Sequence, residues 1–212
     1  MAQKQIRVTM TSFADFVVCD SLGKFSKVKA IHKQYEREYF PGSDFWSRFL
    51  EGVVVVLRSG GKPQDLDEIH RSAKHNRGDQ YSSASKGMRR FWGNKSIELI
   101  STPKVATWDH GRLQVRVNPE WILSINGELT VVKLHLKKDL VLSQRLANPL
   151  LHLVDQKFGT AVGGPRVAIL EVHQGKMWTV GKAQRDLEPV LHMQAAAFVA
   201  GWDVLEKNQS AA

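Results

Sequence analysis

Two apolar segments joined by Asn126-Gly127 constrain the fold of this chain more than any other feature. Residues 121–125 and 129–136 are rich in the β-branched, aromatic and leucine side chains that favour strands. Asn-Gly is the pair that best accommodates the positive φ angles of a two-residue hairpin turn. The sequence therefore predicts an antiparallel strand pair in the middle of the chain, against which other elements must pack.

The pattern of apolar residues changes near residue 96, from helical spacing to strand-like alternation. Before that position we expect helices at 12–18, 24–39, 44–57 and 65–75, and residues 79–95 are ambiguous between loop and helix. After it we expect strands at 97–109, 113–117, 121–125 and 129–136, a helix at 140–158, strands at 167–172 and 177–180, and a helix at 183–205. A strand meander followed by a crossover helix and another strand predicts an α/β (mixed α+β) fold, with a central mixed sheet flanked by helices.

The same change of pattern defines three regions. Residues 1–64 are expected to form a helical region packed on the core, residues 65–206 an α/β core, and residues 207–212 a disordered tail. No Pro-, Gly- or Ser-rich linker separates the first two regions, so we expect the N-terminal helices to pack directly onto the sheet.

Composition excludes several classes of protein. The 212 residues are 42% hydrophobic, but the longest apolar run, residues 53–57, is far too short to span a bilayer. No apolar region follows the first residues, so no secretory signal is expected, and the single Cys19 excludes an internal disulfide or a cysteine-rich zinc site. We therefore expect a globular, cytoplasmic protein without a membrane association.

The chain carries a formal charge of +9, and much of it is concentrated in one stretch. Residues 58–95 contain nine Lys and Arg against four Asp and Glu, interleaved with Tyr81, Phe91 and Trp92. Cations among aromatic residues suit phosphate neutralisation with base stacking, although Phe91 and Trp92 fit a core helix equally well. The candidate nucleic-acid-binding residues are Arg71, Lys74, Arg77, Lys86, Arg89 and Arg90, with Lys137 and Lys138 after the hairpin.

Residues 117–137 contain the one pattern typical of a known active site. Pro119-Glu120 precedes the first hairpin strand, Asn126-Gly127 forms the turn, and Lys133 lies on the second strand. This arrangement resembles the PD-(D/E)XK, or restriction-endonuclease-like, nuclease superfamily, in which an acid, any residue and a lysine follow on that strand. The resemblance covers roughly residues 65–180, whose order of helix, strands, helix and strand is also that of the family core.

The resemblance implies catalytic roles for Lys133, Glu120 and Glu128, and Mg²⁺ ligation by Glu120, Glu128 and Asp109 if the protein is active. Paired carboxylates would hold the ion, which activates water, and the lysine would stabilise the charge on the phosphate. One position departs from the family motif, because Val131 stands two residues before Lys133, where an acid is expected. Alternatively, Glu120 is a turn residue, Glu128 faces solvent on the hairpin, and Lys133 lies on a solvated strand face.

These observations favour a nucleic-acid-binding protein with a PD-(D/E)XK-like core that is weak or inactive as a nuclease. DNA is favoured over RNA, and a homodimer or a protein partner stays open. The first alternative is an active Mg²⁺-dependent DNA endonuclease. The second is a non-enzymatic interaction protein that recruits an acidic protein partner.

Overall fold

A computed structural model describes residues 4–36, 45–71, 78–138, 140–159, 164–180 and 187–210. Within these residues the helices are α1 (Met10–Val17), α2 (Lys24–Tyr35), α3 (Ser47–Arg58), α4 (Asp67–Arg71), α5 (Gly78–Trp92), α6 (Gln144–Phe158) and α7 (Leu187–Ser210). The strands are β1 (Ile6–Thr9), β2 (Ile97–Ser101), β3 (Ala106–His110), β4 (Leu113–Val117), β5 (Trp121–Ile125), β6 (Glu128–His135), β7 (Arg166–Glu171) and β8 (Lys176–Thr179). The protein therefore has a mixed α/β fold, as predicted.

The predicted hairpin forms the centre of a five-stranded sheet with the order β2-β5-β6-β7-β8. Asn126 and Gly127 have φ angles of 53° and 85°, the positive values that a two-residue turn requires. The pairs β2–β5 and β5–β6 are antiparallel, whereas β6 and β7 are parallel and are connected through α6. Ser143 begins α6 by accepting a hydrogen bond from the Leu146 N–H at 3.3 Å.

A second sheet of three strands, with the order β1-β4-β3, lies outside the predicted architecture. The segment 97–109, which we expected to be one strand, contains β2 in the larger sheet and β3 in the smaller one. Pro103 lies between them, where a missing N–H prevents a continuous ladder. The five-stranded sheet is the predicted central mixed sheet, and the smaller sheet is an addition to it: the chain leaves the five-stranded sheet after β2 and returns to it at β5.

Several predicted boundaries also change. The N-terminal region begins with β1, which pairs in parallel with β4, so it is not purely helical. The ambiguous segment 79–95 is mostly α5, and the last helix reaches Ser210, four residues into the expected disordered tail. The ends of the predicted helices 24–39 and 65–75, and the start of 44–57, fall outside the described residues.

The two faces of the five-stranded sheet carry separate apolar cores. Val131 and Ile169 belong to the cluster that contains residues of α1, α6, α7 and the smaller sheet. Val132 and Leu170 point the other way, into the cluster formed with α3, α4 and α5. This alternation along β6 and β7 follows from the two-residue period of a strand, and it fixes which core each side chain of β6 faces.

None of the helices among the described residues combines the length and the apolar composition that a bilayer crossing requires. Even α7, with 24 residues, is interrupted by charged side chains such as Asp203 and Glu206.

Candidate functional site

Lys133 and Glu120 form a buried ion pair at the C-terminal half of β6. The Lys133 Nζ lies 2.5 Å from Glu120 Oε1 and donates a second bond to the Asn118 carbonyl at 3.3 Å. The other oxygen, Glu120 Oε2, accepts the Leu134 N–H at 2.6 Å. Because Lys133 is only 5% exposed, its charge needs such a partner, and the pair links the turn before β5 to the next strand.

Lys133, Val131 and His135 lie on the same face of β6, as the predicted alternation of the second hairpin strand requires. The Val131 side chain is completely buried in the core that contains residues of α1, α6 and α7. The position at which the family motif carries an acid is therefore filled by an apolar residue of the core. No carboxylate can reach the Lys133 ammonium from that position.

Three clefts lie near this ion pair and share part of their walls, because Trp46 and Leu136 line all of them. Their volumes are about 550, 470 and 130 Å³. We call the three together the Trp46 groove. Glu120 and Lys133 line the two smaller clefts, so the ion pair forms part of the groove wall.

The largest of the three clefts is the basic end of the Trp46 groove. Lys27 from α2 and Lys137 and Lys138 from the chain after β6 line it together with Asp15 of α1. Lys137 is ion-paired with Asp15. Lys27 and Lys138 make no ion pair within the described part of the chain, which leaves two cations available to an anionic ligand.

His135 and Glu171 lie next to the groove but serve the fold. The His135 Nε2–H donates to the Leu140 carbonyl at 2.8 Å, and Glu171 accepts the Leu142 N–H and the Trp178 Nε1–H at 3.1 and 3.2 Å. Burial lowers the pKa of His135, against the opposite effect of its bond to Leu140 and of the nearby carboxylates. The imidazole is therefore neutral at neutral pH and holds the chain after β6 in place.

The other two predicted metal ligands lie away from Glu120. Glu128 begins β6, pairs with Arg166 at 3.1 Å, and is five residues from Lys133. At about 3.4 Å per residue this separation is about 17 Å along the strand. Asp109 lies on β3 in the smaller sheet, where it is exposed and accepts a bond from Gln114 at 2.9 Å.

The residues present therefore do not fit the Mg²⁺ site that the family resemblance implies. Glu120 has both oxygens engaged, by an ammonium and by a backbone N–H, and neither of its expected partners is near. Within the described residues, no group of three or more His, Cys, Asp or Glu side chains is placed to hold a metal ion.

The predicted nucleic-acid-binding cations of α4 and α5 form a separate surface. Lys86, Arg89 and Arg90 line a cleft of about 420 Å³ beside Gln64. Arg89 pairs with Asp67 at 2.6 Å, and Arg71 pairs with Glu68. Arg90 donates to the His173 carbonyl at 2.5 Å, so Lys86 is the only one of these four without such a contact among the described residues. Lys74 and Arg77 lie outside the described residues.

The aromatic residues of α5 belong to the core. Tyr81, Phe91 and Trp92 are 1%, 2% and 7% exposed, and all three pack in the core that α3, α4 and α5 form with the five-stranded sheet. They cannot stack on bases without unfolding the helix. Of the two interpretations that the sequence left open for Phe91 and Trp92, the core interpretation is correct.

Several groove residues were not predicted from the sequence, because they come from the N-terminal region. Asp15, Lys27 and Trp46 have no motif around them, and only the fold brings them to the end of β6. Asn118 also lines the groove, and its side-chain oxygen is buried with no hydrogen-bond partner among the residues that the structure describes. The chain matches no protein-family model and no curated protein sequence.

Proposed function

We propose that this protein binds nucleic acid through the basic end of the Trp46 groove and is inactive, or only weakly active, as a nuclease. The observation that carries the proposal is the placement of Lys27, Lys137 and Lys138 around one cleft beside the buried Glu120–Lys133 pair. Clustered lysines attract a polyanion because each contact with a phosphate releases condensed counterions.

The strand order supports the resemblance to the PD-(D/E)XK superfamily. Helix α5 is followed by the antiparallel strands β2, β5 and β6, then by α6 and the parallel strand β7. This is the order that the resemblance implies, with β3 and β4 inserted before β5. Pro119-Glu120 and Lys133 also take the positions in this order that the family motif gives them.

The same site argues against efficient cleavage. A metal-dependent nuclease needs at least two carboxylates that converge on one ion, with a lysine free to face the phosphate. Here Lys133 neutralises Glu120, and Val131 replaces the second acid. The groove therefore keeps the basic surface of such an enzyme without the ligands that its chemistry requires.

Binding is tested by fluorescence anisotropy with labelled DNA and RNA, each in single-stranded and duplex form. We expect binding that weakens by orders of magnitude between about 50 and about 200 mM salt. The double variant Lys27→Gln/Lys138→Gln should bind on the order of tenfold more weakly, and its salt slope should fall by about two. Lys33→Gln/Lys207→Gln removes the same charge from exposed positions outside the groove and should bind more tightly than the groove variant.

Each result decides among the three candidate functions. No binding to any nucleic acid at about 50 mM salt contradicts the proposal and favours the interaction-protein alternative. For cleavage, plasmid is incubated with Mg²⁺ or Mn²⁺ and the wild type, Glu120→Gln or Lys133→Met. Cleavage by the wild type that both substitutions abolish would establish the active endonuclease instead.

A further inference from the structure

The walls of the Trp46 groove come from parts of the chain that are distant in sequence. Asp15 of α1, Lys27 of α2 and Gln80 at the start of α5 surround the basic end, and Leu136 forms the wall shared with the other clefts. A ligand in this groove would therefore lie between α1 and α2 on one side and the start of α5 on the other.

Trp46 is a fixed aromatic wall in the middle of this groove. Its indole is stacked on Tyr81, with ring centroids 5.6 Å apart, and meets the edge of Phe49 at 5.7 Å. The His173 ring packs against it at 5.8 Å. These contacts hold the indole in one orientation, while the part that stays accessible lines all three clefts. An aromatic group that is already ordered loses little entropy when a ligand packs on it.

The charges of the groove are unevenly distributed. The lysines surround the cleft on one side of Trp46, whereas the cleft on the other side is lined by Glu51, Thr11 and Thr102, with Lys133 already neutralised by Glu120. A nucleic-acid backbone is attracted only to the first side. The groove therefore offers phosphate contacts for a few nucleotides, followed by an uncharged or acidic wall.

From these features, and on the basis of the proposed function, we infer that the Trp46 groove binds single-stranded nucleic acid in preference to duplex. Phosphates lie against Lys27 and Lys138, and a base packs against the Trp46 indole. In a duplex each base is already stacked and paired, so reaching Trp46 would require a base to leave the helix. A single strand presents the base without that cost, and every base has an aromatic face that can pack on the indole.

The test compares labelled oligothymidylate with a duplex of the same length at low salt. We expect the single strand to bind on the order of tenfold more tightly. Trp46→Leu should weaken single-strand binding roughly tenfold or more and leave duplex binding unchanged. Circular dichroism and thermal unfolding of Trp46→Leu establish that the variant is folded.

Tryptophan fluorescence gives a second measurement, for which the milder substitution Trp46→Phe is sufficient. A base packed on Trp46 should quench part of the emission of the six tryptophans when oligothymidylate is added. Trp46→Phe should lose this quenching. The matched variant Trp202→Phe, on α7 and outside the groove, should retain it.

The outcomes separate this inference from the proposed function. If duplex and single strand bind equally and Trp46→Leu weakens neither selectively, the inference is overturned while nucleic-acid binding stands. Quenching that persists in Trp46→Phe would also overturn it. If neither form binds, the proposed function fails as well.

Discussion

At the residue scale, the Glu120–Lys133 pair shows how the fold accommodates two charges where solvent is nearly absent. The side chains are 14% and 7% exposed, so neither charge is solvated well by water. Each is compensated instead, the ammonium by a carboxylate and a carbonyl, and the carboxylate by a backbone N–H. Such a pair contributes little net stability, but the loss of one member leaves the other buried and uncompensated.

This asymmetry gives a prediction for a double-mutant cycle in urea denaturation. Glu120→Gln should lower the free energy of unfolding by about 3 kcal/mol, because the Lys133 ammonium loses its counter-charge. Glu120→Gln/Lys133→Met, which removes both charges, should recover most of that loss. If the loss of stability in the double variant equals the sum of the losses in Glu120→Gln and Lys133→Met, the two residues are not a coupled buried pair.

At the element scale, the contact between α5 and the turn after β7 determines how closely that helix approaches the five-stranded sheet. An added Cβ at Gly87 would lie 1.8 Å from the Val172 carbonyl oxygen. One turn earlier, Ser83 Oγ is 2.9 Å from the His173 Nδ1, and Arg90 bonds the His173 carbonyl. These three residues lie on one face of α5, so the helix is held by side chains on both sides of a point where its backbone touches the turn.

Gly87→Ala should therefore destabilise the protein, although alanine favours a helix by about 1 kcal/mol over glycine. The clash is with backbone, which cannot rotate away as a side chain can, so we expect a net loss of at least about 2 kcal/mol. Thermal or urea unfolding measures it. Gly78→Ala in the same helix, where an added Cβ meets no atom within 4 Å, is the matched control and should change stability by less than about 1 kcal/mol. Similar losses at both positions would show that the close approach does not matter.

The elements that the sequence predicts well are those whose signal is local. The β5–β6 hairpin and α6 follow from a turn pair, an alternation and a helical period, all within about twenty residues. Strand β1 has only four residues, and its pairing with β4 joins positions about a hundred residues apart. No local pattern could indicate that pairing, and for the same reason the second sheet was not predicted.

The site divides in the same way. Glu120 and Lys133 were identified through the resemblance to the PD-(D/E)XK motif, and their contact is explained by the register of β5 and β6 in the folded chain. The remaining walls of the groove depend on how α1, α2 and the start of α3 pack on the sheet. Asp15, Lys27 and Trp46 carry no spacing that relates them to Lys133, so their role was visible only in the folded chain.

At the scale of the whole molecule, α7 joins the smaller sheet to the rest of the protein. Arg112, in the turn between β3 and β4, is ion-paired with Asp203 and with Glu206 at 2.9 Å. Arg112 lowers the pKa of Glu206 through this hydrogen bond, so the pair stays ionised well into the acidic range. Helix α7 also contacts β3, where the His110 and His192 rings lie 4.6 Å apart and His110 is stacked on Trp108.

His110 and His135 contribute a pH dependence to the stability of the protein, and its sign follows from their lowered pKa values. The pKa of His110 is lowered by burial and by His192, and the pKa of His135 is lowered by burial. At pH values between these lowered pKa values and the ordinary histidine pKa of about 6.5, the two histidines bind more protons in the unfolded chain than in the folded one. The free energy of unfolding should therefore fall as the pH drops below about 6.5, and the loss should level off once the folded histidines are also protonated.

Urea denaturation at about pH 7.5 and about pH 5.5 brackets this range. The unfolding midpoint should be lower at the acidic pH. His110→Gln removes one of the two titrating groups. The difference between the two midpoints should therefore become smaller, by no more than the uptake of one proton on unfolding can account for. Glu206→Gln serves as the comparison, because that carboxylate stays ionised across the interval and its loss should lower both midpoints together. If His110→Gln left the difference unchanged, the contact between β3 and α7 would not be a source of the pH dependence, and His135 beside the Trp46 groove would have to account for it.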